Sequence, residues 1–282
     1  MPGNTVRDAL EAAVDALQAA GCETARLDAE LFLAHATGWD RAQLAAEPEA
    51  RLPVGASRNF GEMIRRRVRR EPVAYILGRK GFRRVELLVD RRVLIPRPET
   101  ELLVELALEL EPARVIDVGT GSGAIALAVA DELDGATVTA IDTSFDAVRV
   151  AQSNSERLGL TDRVEVVLRG PSSLRGSDEG GPEFDLLLAN LPYVSESEWE
   201  ELAPEIREYE PRGALVPGPT GLEAIEALAE ELFGLAPRPT VVALEIGAGQ
   251  ADEVTRLISA AGYVETEVRQ DLAGHDRVVI GR

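Results

Sequence analysis

The chain has 282 residues, 45% of them hydrophobic and 28% charged, with a formal net charge of −19. That balance describes a globular chain with ample core, and a field of that sign repels phosphate backbones, so no direct nucleic-acid partner is expected. Cys22 is the only cysteine, which excludes an internal disulfide, and with His35 and His275 as the only histidines no metal site is expected. No apolar run approaches the roughly 20 residues needed to cross a bilayer, and Met1-Pro2-Gly3-Asn4-Thr5 has no basic stretch leading into an apolar one. The expectation is a cytoplasmic protein without membrane contact.

Residues 5–21 place Val6, Leu10, Ala13, Val14 and Leu17 at helical spacing, with Gly21 as a stop. Residues 25–37 repeat the pattern with Leu27, Leu31, Phe32 and Leu33 before Gly38. Further helices are predicted near 40–46 and 55–70. The last ends in Arg65-Arg66-Arg67-Val68-Arg69-Arg70, which reads as a solvated helix end facing its own dipole, with a docking patch for an acidic partner as the sharper alternative. None of these helices carries evident chemistry, so residues 1–78 are expected to form a helical substrate-docking domain. Residues 79–97 read as a β-hairpin linker: Val85, Leu87 and Val89 alternate, Asp90-Arg91-Arg92 is turn-like, and Val93-Leu94-Ile95 supplies the second arm. Pro98 then suits the first turn of a helix over 99–110.

From residue 113 strand and helix alternate. Strands are predicted near 114–118, 137–141, 164–168, 184–190 and 241–246, and helices near 123–133, 145–158, 222–235 and 250–261. Two final strands, near 264–270 and 277–281, have no helix between them. Alternating βα units imply a doubly wound parallel sheet, and the closing pair implies an antiparallel hairpin. A seven-stranded, Rossmann-like sheet of this kind over residues 98–282 resembles the class I methyltransferase fold.

Val115-Ile116-Asp117-Val118-Gly119-Thr120-Gly121-Ser122-Gly123-Ala124 is an apolar strand running through a glycine loop into a helix. Glycines let a backbone pass close to a ligand, and the helix beyond offers free N–H groups. Gly119, Gly121 and Ala124 also satisfy the dinucleotide fingerprint, whereas Asp117 before the loop and Gly123 within it look more like a methyltransferase loop. Asp142 closes the next strand, where a carboxylate can accept from both ribose hydroxyls or cap the helix starting near Ser144. Adenosine is indicated; the chemistry is left open.

The run Leu186–Asn190 is apolar without alternation, as in a strand covered on both faces, and Pro192 stops it. Asn190-Leu191-Pro192-Tyr193 therefore sits at the carboxyl end of a strand, where ligands bind in open α/β sheets. With that tetrapeptide the chain resembles the release factor glutamine methyltransferases, the PrmC or HemK family. The likeness extends over Arg70-Glu71-Pro72, Tyr75-Ile76-Leu77-Gly78, Leu94-Ile95-Pro96-Arg97-Pro98-Glu99-Thr100-Glu101, Tyr209-Glu210-Pro211, Gly221-Leu222, Glu245-Ile246-Gly247 with Gln250, and Asp271-Leu272-Ala273-Gly274 with Asp276-Arg277.

The resemblance implies methyl transfer from S-adenosyl-L-methionine, leaving S-adenosyl-L-homocysteine, to the glutamine side chain in the Gly-Gly-Gln loop of a peptide chain release factor. It implies a cofactor site of Asp117, Gly119, Thr120, Gly121, Ser122, Gly123, Asp142, Pro171 and Asn190. The glutamine would be held by Asn190, Leu191, Pro192 and Tyr193, with Asn190, Pro192 and Tyr193 nearest the chemistry. An amide nitrogen is a poor nucleophile, and two acceptors, the Asn190 side-chain oxygen and the Leu191 carbonyl, would hold its hydrogens and aim it. No strong general base is evident. The family usually has proline where this chain has Leu191, which is less rigid, and commonly has an acidic and then a bulky residue where this chain has Gly170-Pro171. Four rivals remain. Two are a DNA adenine-N6 methyltransferase, disfavoured by the net charge, and a glutamine methyltransferase acting on a ribosomal protein. The others are a nicotinamide-dependent oxidoreductase, which lacks a hydride-relay histidine, and a non-enzymatic cofactor-binding module. A monomer is expected.

Overall fold

The computed structural model describes residues 5–175 and 184–282; Met1 to Asn4, part of the expected absence of a leader, lie outside them. The chain divides into two compact units, residues 1–78 with 203–209, and residues 79–202 with 210–282. Among the described residues no helix is long and apolar enough to cross a membrane.

The first unit contains α1 (Val6–Ala19), α2 (Ala25–Thr37), α3 (Arg41–Ala46), α4 (Ala56–Val68) and α5 (Val73–Leu77). Thr5 and Asp8 form a reciprocal capping box at the start of α1, and Val6, Leu10, Ala13 and Leu17 bury its inner face. On α2 the buried stripe is Ala25, Asp28, Ala29, Phe32 and Leu33, not one running through Leu27, which is 41% exposed. The stripe is rotated because a carboxylate, Asp28, points inward to meet Arg67. The single turn α5 was not expected; Pro72 precedes it and Gly78 ends it in the left-handed region.

The arginine run at the end of α4 is not simply a solvated helix end. Arg67 is 6% exposed, and its guanidinium lies 2.7 Å from Asp28 and 2.9 Å from Glu205. Arg66 grips Glu71 through two hydrogen bonds of 2.8 Å, and Arg70 pairs with Glu205 at 2.7 Å. These ion pairs explain why residues 203–209, placed by sequence in the catalytic domain, cluster with the helical unit: Glu205 lies on the short helix Pro204–Tyr209, and the Tyr209 hydroxyl donates to the Arg69 carbonyl at 2.6 Å.

The second unit opens with a hairpin of β1 (Arg79–Phe82) and β2 (Val85–Leu88), paired Arg79 to Leu88 and Phe82 to Val85. The predicted arms, 85–89 and 93–95, are therefore corrected: 85–88 is the second strand, and 93–95 is no strand at all. The backbone hydrogen bonds of 93–95 are used otherwise, Val93 N donating to the Asp90 carbonyl and Ile95 N to Glu210 Oε2 at 3.1 Å. The real first arm carries Arg79 and Lys80, so its apolar signal is weak. Arg83 makes the turn with φ of 50° and is pinned there by Glu132 at 2.9 Å and Glu105 at 3.1 Å.

Beyond the turn Pro98–Thr100 come α6 (Glu101–Leu110), β3 (Arg114–Val118), α7 (Ala124–Glu132), β4 (Thr137–Asp142), α8 (Phe145–Leu158), β5 (Val164–Leu168) and β6 (Leu186–Ala189). Helix Glu223–Phe233, β7 (Val241–Glu245), helix Ala251–Ala260, β8 (Thr266–Gln270) and β9 (Asp276–Gly281) complete the unit. The seven-stranded sheet runs β5-β4-β3-β6-β7-β9-β8, parallel from β5 to β7 and antiparallel where β9 meets β7 and β8. Strand order reverses between β3 and β6, the position where open α/β sheets form ligand crevices. Every residue of β6 and β7 is buried, as strands covered on both faces require, while the edge strand β8 alternates exposed and half-buried.

Arg67→Met should destabilise the protein by about 3–5 kcal/mol, the scale for stripping one partner from a buried ion pair. Arg65→Ala, whose partner Glu62 is exposed, should cost less than about 1 kcal/mol. Denaturant titrations of the two variants check the contrast.

Candidate active site

The end of β3 turns at once because its carboxylate is used locally. Asp117 is fully buried, and its Oδ2 accepts from the Thr120 hydroxyl at 2.6 Å and from Ala126 N at 3.3 Å. Burial pushes this carboxyl up to about 7, against the pull of those two hydrogen bonds. Gly119 N and Thr120 N both donate to the Ile141 carbonyl, at 2.9 and 3.0 Å, which binds the loop to β4. The Asn154 amide on α8 donates to the Ser122 carbonyl at 2.9 Å and to the Leu88 carbonyl at 3.0 Å, and accepts from Leu88 N at 2.7 Å. One wholly buried side chain thus holds both the hairpin and the glycine loop. Sequence reasoning missed Asn154, since one asparagine on an amphipathic helix gives no signal.

Asp142 ends β4 with one oxygen on Gly121 N at 2.9 Å and the other on Ser144 N at 2.8 Å. Ser144, not Asp142, caps α8, accepting from Ala147 N at 3.2 Å. Each carboxylate oxygen keeps lone pairs beyond the one bond it accepts.

The end of β6 comes up beside this loop. Leu191 is 7% exposed and packs in the core with Ile116, Val118 and Leu244. A Cβ on Gly119, which has φ of 78°, would lie 3.0 Å from Leu191 Cδ2, so only glycine lets the two loops approach this closely. Burial thus anchors Leu191 where the family's proline ring would stiffen the chain. Tyr193 is fastened at both ends: its hydroxyl donates to Glu245 Oε1 at 3.2 Å, and its carbonyl accepts from Gln250 Nε2 at 3.0 Å. Burial, followed by the Glu245 charge, holds the phenol well above its ordinary range.

Asn190 Nδ2 donates to Thr100 Oγ1 at 3.0 Å. Thr100 is 3% exposed. Glu210, the acidic residue of Tyr209-Glu210-Pro211, fixes the approach to Thr100 by receiving Ile95 N and the Arg97 guanidinium, the latter at 2.5 Å. Thr100, Glu210 and Glu245 were quoted only as parts of a likeness; the structure shows what each side chain touches.

A cleft of about 650 Å³ opens at this edge of the sheet, a size ordinary for small-molecule sites. Gly119, Gly121, Asp142, Pro171, Asn190, Leu191 and Pro192 all line it. Asp117, Thr120, Ser122, Gly123 and Tyr193 do not: Asp117, Thr120 and Ser122 are buried, and Tyr193 stands against Gly247 and Glu245. A Cβ on Gly121 would meet no protein atom closer than 4.0 Å, so the space beside that residue is open. Among the described residues no three His, Cys, Asp or Glu side chains are grouped to hold a metal ion.

Residues 8–78 match the model of the PrmC N-terminal domain, and residues 115–211 match that of a methyltransferase domain. The chain is 39% identical over 281 residues to the release factor glutamine methyltransferase of Caulobacter vibrioides, covering 98% of this chain and 96% of that one. It is 41% identical over 278 residues to the enzyme of the same name from Cereibacter sphaeroides, covering 98% and 97%. Among solved structures, the catalytic domain of human METTL16 in complex with an RNA hairpin superposes with a TM-score of 0.58 at 16% identity, over 78% of this chain and 80% of that one. The N-terminal domain of human METTL16 in complex with SAH does so at 0.52 and 17%, over 69% and 75%. These two share the fold. The full-length relatives show more: this chain is a methyltransferase and belongs to the release factor glutamine methyltransferase family.

Proposed function

We propose that the protein methylates the side-chain amide of the glutamine in the Gly-Gly-Gln loop of a peptide chain release factor, with S-adenosyl-L-methionine as donor. The observation that carries this reading is the meeting, in one cleft, of the glycine loop and Asp142 with Asn190-Leu191-Pro192. The residues fit that cofactor. Asp142 offers lone pairs to paired hydroxyls, Gly121 leaves open space, and Pro171 and Leu191 supply apolar wall. When bound there, the cofactor supplies an electrophilic methyl group on a sulfonium.

The chain's own residues then hold and aim the acceptor. With its Nδ2 engaged by Thr100, Asn190 has Oδ1 left to accept one hydrogen of the glutamine amide, and the Leu191 carbonyl is the candidate for the other. Both bonds strengthen as the nitrogen gains positive character, so they favour the transition state over the ground state. Pro192 fixes the backbone just after them, and Tyr193, tied to Glu245 and Gln250, sets where the chain goes next. The helical unit carries no such chemistry and is read as a docking surface for the protein substrate.

Isotope-labelled cofactor incubated with purified release factor should place label on that glutamine, read by tandem mass spectrometry; label on other residues only would reject the reading. Asp142→Ala should weaken cofactor binding by about 1–3 kcal/mol in calorimetry, the range for leaving polar partners unpaired. Asn190→Ala should lower that affinity modestly at most and raise the barrier to turnover by roughly 2–4 kcal/mol, as for losing one preorganised hydrogen bond.

A further inference from the structure

We propose that Gln250 is a positioning residue for the methyl acceptor: its side-chain amide fixes the peptide group that follows Tyr193, and through it the aim of the Leu191 carbonyl. This rests on the function proposed above, in which that carbonyl receives one hydrogen of the glutamine amide. It goes beyond that reading, since Gln250 touches neither substrate nor cofactor there.

β6 and β7 pair in register from Leu186 with Val241 to Ala189 with Leu244, and their ladder ends at that pair. Pro192 has no N–H with which to extend it, so the chain leaving the sheet through Asn190, Leu191 and Pro192 needs another hold. Gln250 provides one. It stands immediately before the helix Ala251–Ala260, whose Val254 and Ile258 are fully buried in the core. Its Oε1 accepts from Gly247 N, beyond the end of β7, at 2.8 Å, and its Nε2 donates to the Tyr193 carbonyl, beyond the end of β6, at 3.0 Å. The side-chain amide thus does what a peptide group does within a ladder, joining the ends of two adjacent strands. Its orientation is forced, because a backbone N–H only donates and a backbone carbonyl only accepts.

The Tyr193 carbonyl and the Val194 N–H belong to one planar peptide group. Val194 N donates to the Leu215 carbonyl at 2.9 Å, so that plane is gripped at both edges. The neighbouring glycines leave it little slack. A Cβ on Gly247 would lie 3.1 Å from Gln250 Oε1 and 3.2 Å from Tyr193 Cδ2, and one on Gly221 would lie 2.5 Å from the Tyr193 carbonyl oxygen. Upstream, the Leu191 side chain is set in the core. With the φ of Pro192 locked by its ring, few torsions separate these two anchors, and the Leu191 ψ that aims its carbonyl is among them.

Two variants of the full chain test this. Gln250→Glu keeps an acceptor for Gly247 N but turns a carboxylate oxygen toward the Tyr193 carbonyl, and Gln250→Met, of similar size, loses both bonds. In hydrogen exchange the Gly247 amide should stay protected in Gln250→Glu and lose protection in Gln250→Met, whereas the Val194 amide should exchange faster in both. Single-turnover rates at saturating cofactor and release factor should fall by about 10- to 100-fold in both, the scale on which a small displacement of a reacting group acts. Cofactor affinity and the KM for release factor should stay at their wild-type values. A wild-type rate in either variant, or Val194 protection unchanged in both, would overturn the proposal. So would cofactor affinity falling in step with the rate, the mark of a general loss of structure. If one variant does not fold, the other decides. Wild-type enzyme that leaves release factor unmethylated would reject the proposed function instead, and the Val194 exchange would still test the brace.

Discussion

The hydrogen bond from Asn190 to Thr100 is the constraint on which the proposed acceptor end of the site depends. A primary amide presents a donor at one end and an acceptor at the other, and nothing in a strand terminus alone selects between them. Here the buried Thr100 hydroxyl takes the Nδ2 end, 3.0 Å away. The supports behind it are themselves fixed. Glu210 holds the segment that leads to Thr100, and Gln250 holds the carbonyl of Tyr193. Gly221, with φ of 82°, lets the chain pass so close that a Cβ would lie 2.5 Å from that carbonyl.

The donor end is organised on the same scheme, polar groups buried so that neighbours are held. Asp117 holds its own loop, Asn154 holds the loop to the hairpin, and the Gly119–Leu191 approach sets the loop against the end of β6. In the proposed reaction, placement of methyl donor and acceptor within reach of each other depends less on any residue lining the cleft than on the spacing of β3 and β6. These strands pair in register from Val115 with Leu186 to Val118 with Ala189. Orientation of this kind is a large part of what the proposed transfer to a poor amide nucleophile requires.

Much of this was legible in the sequence where the signal is local. An unbroken apolar run announced β6, glycines marked the loop after β3, and Pro192 marked the end of β6. What was hidden depends on partners distant along the chain. Thr100 lies 90 residues from Asn190, and Arg67 lies 138 from Glu205. No periodicity reports such a pairing. The hairpin register was misread for a related reason: Val93 and Ile95 are buried, as their character suggests, yet their N–H groups go to a turn and to a glutamate, not to a ladder. The inward Asp28 was likewise invisible, because a carboxylate within an apolar stripe becomes reasonable only once Arg67 is seen opposite it.

The most direct test of the account is a crystal structure of the protein with S-adenosyl-L-homocysteine and a peptide bearing Gly-Gly-Gln. The ribose is predicted to meet Asp142, with the glutamine nitrogen between Asn190 Oδ1 and the Leu191 carbonyl while Asn190 Nδ2 stays on Thr100. A glutamine bound away from Asn190, or an Asn190 amide turned so that its oxygen faces Thr100, would contradict it.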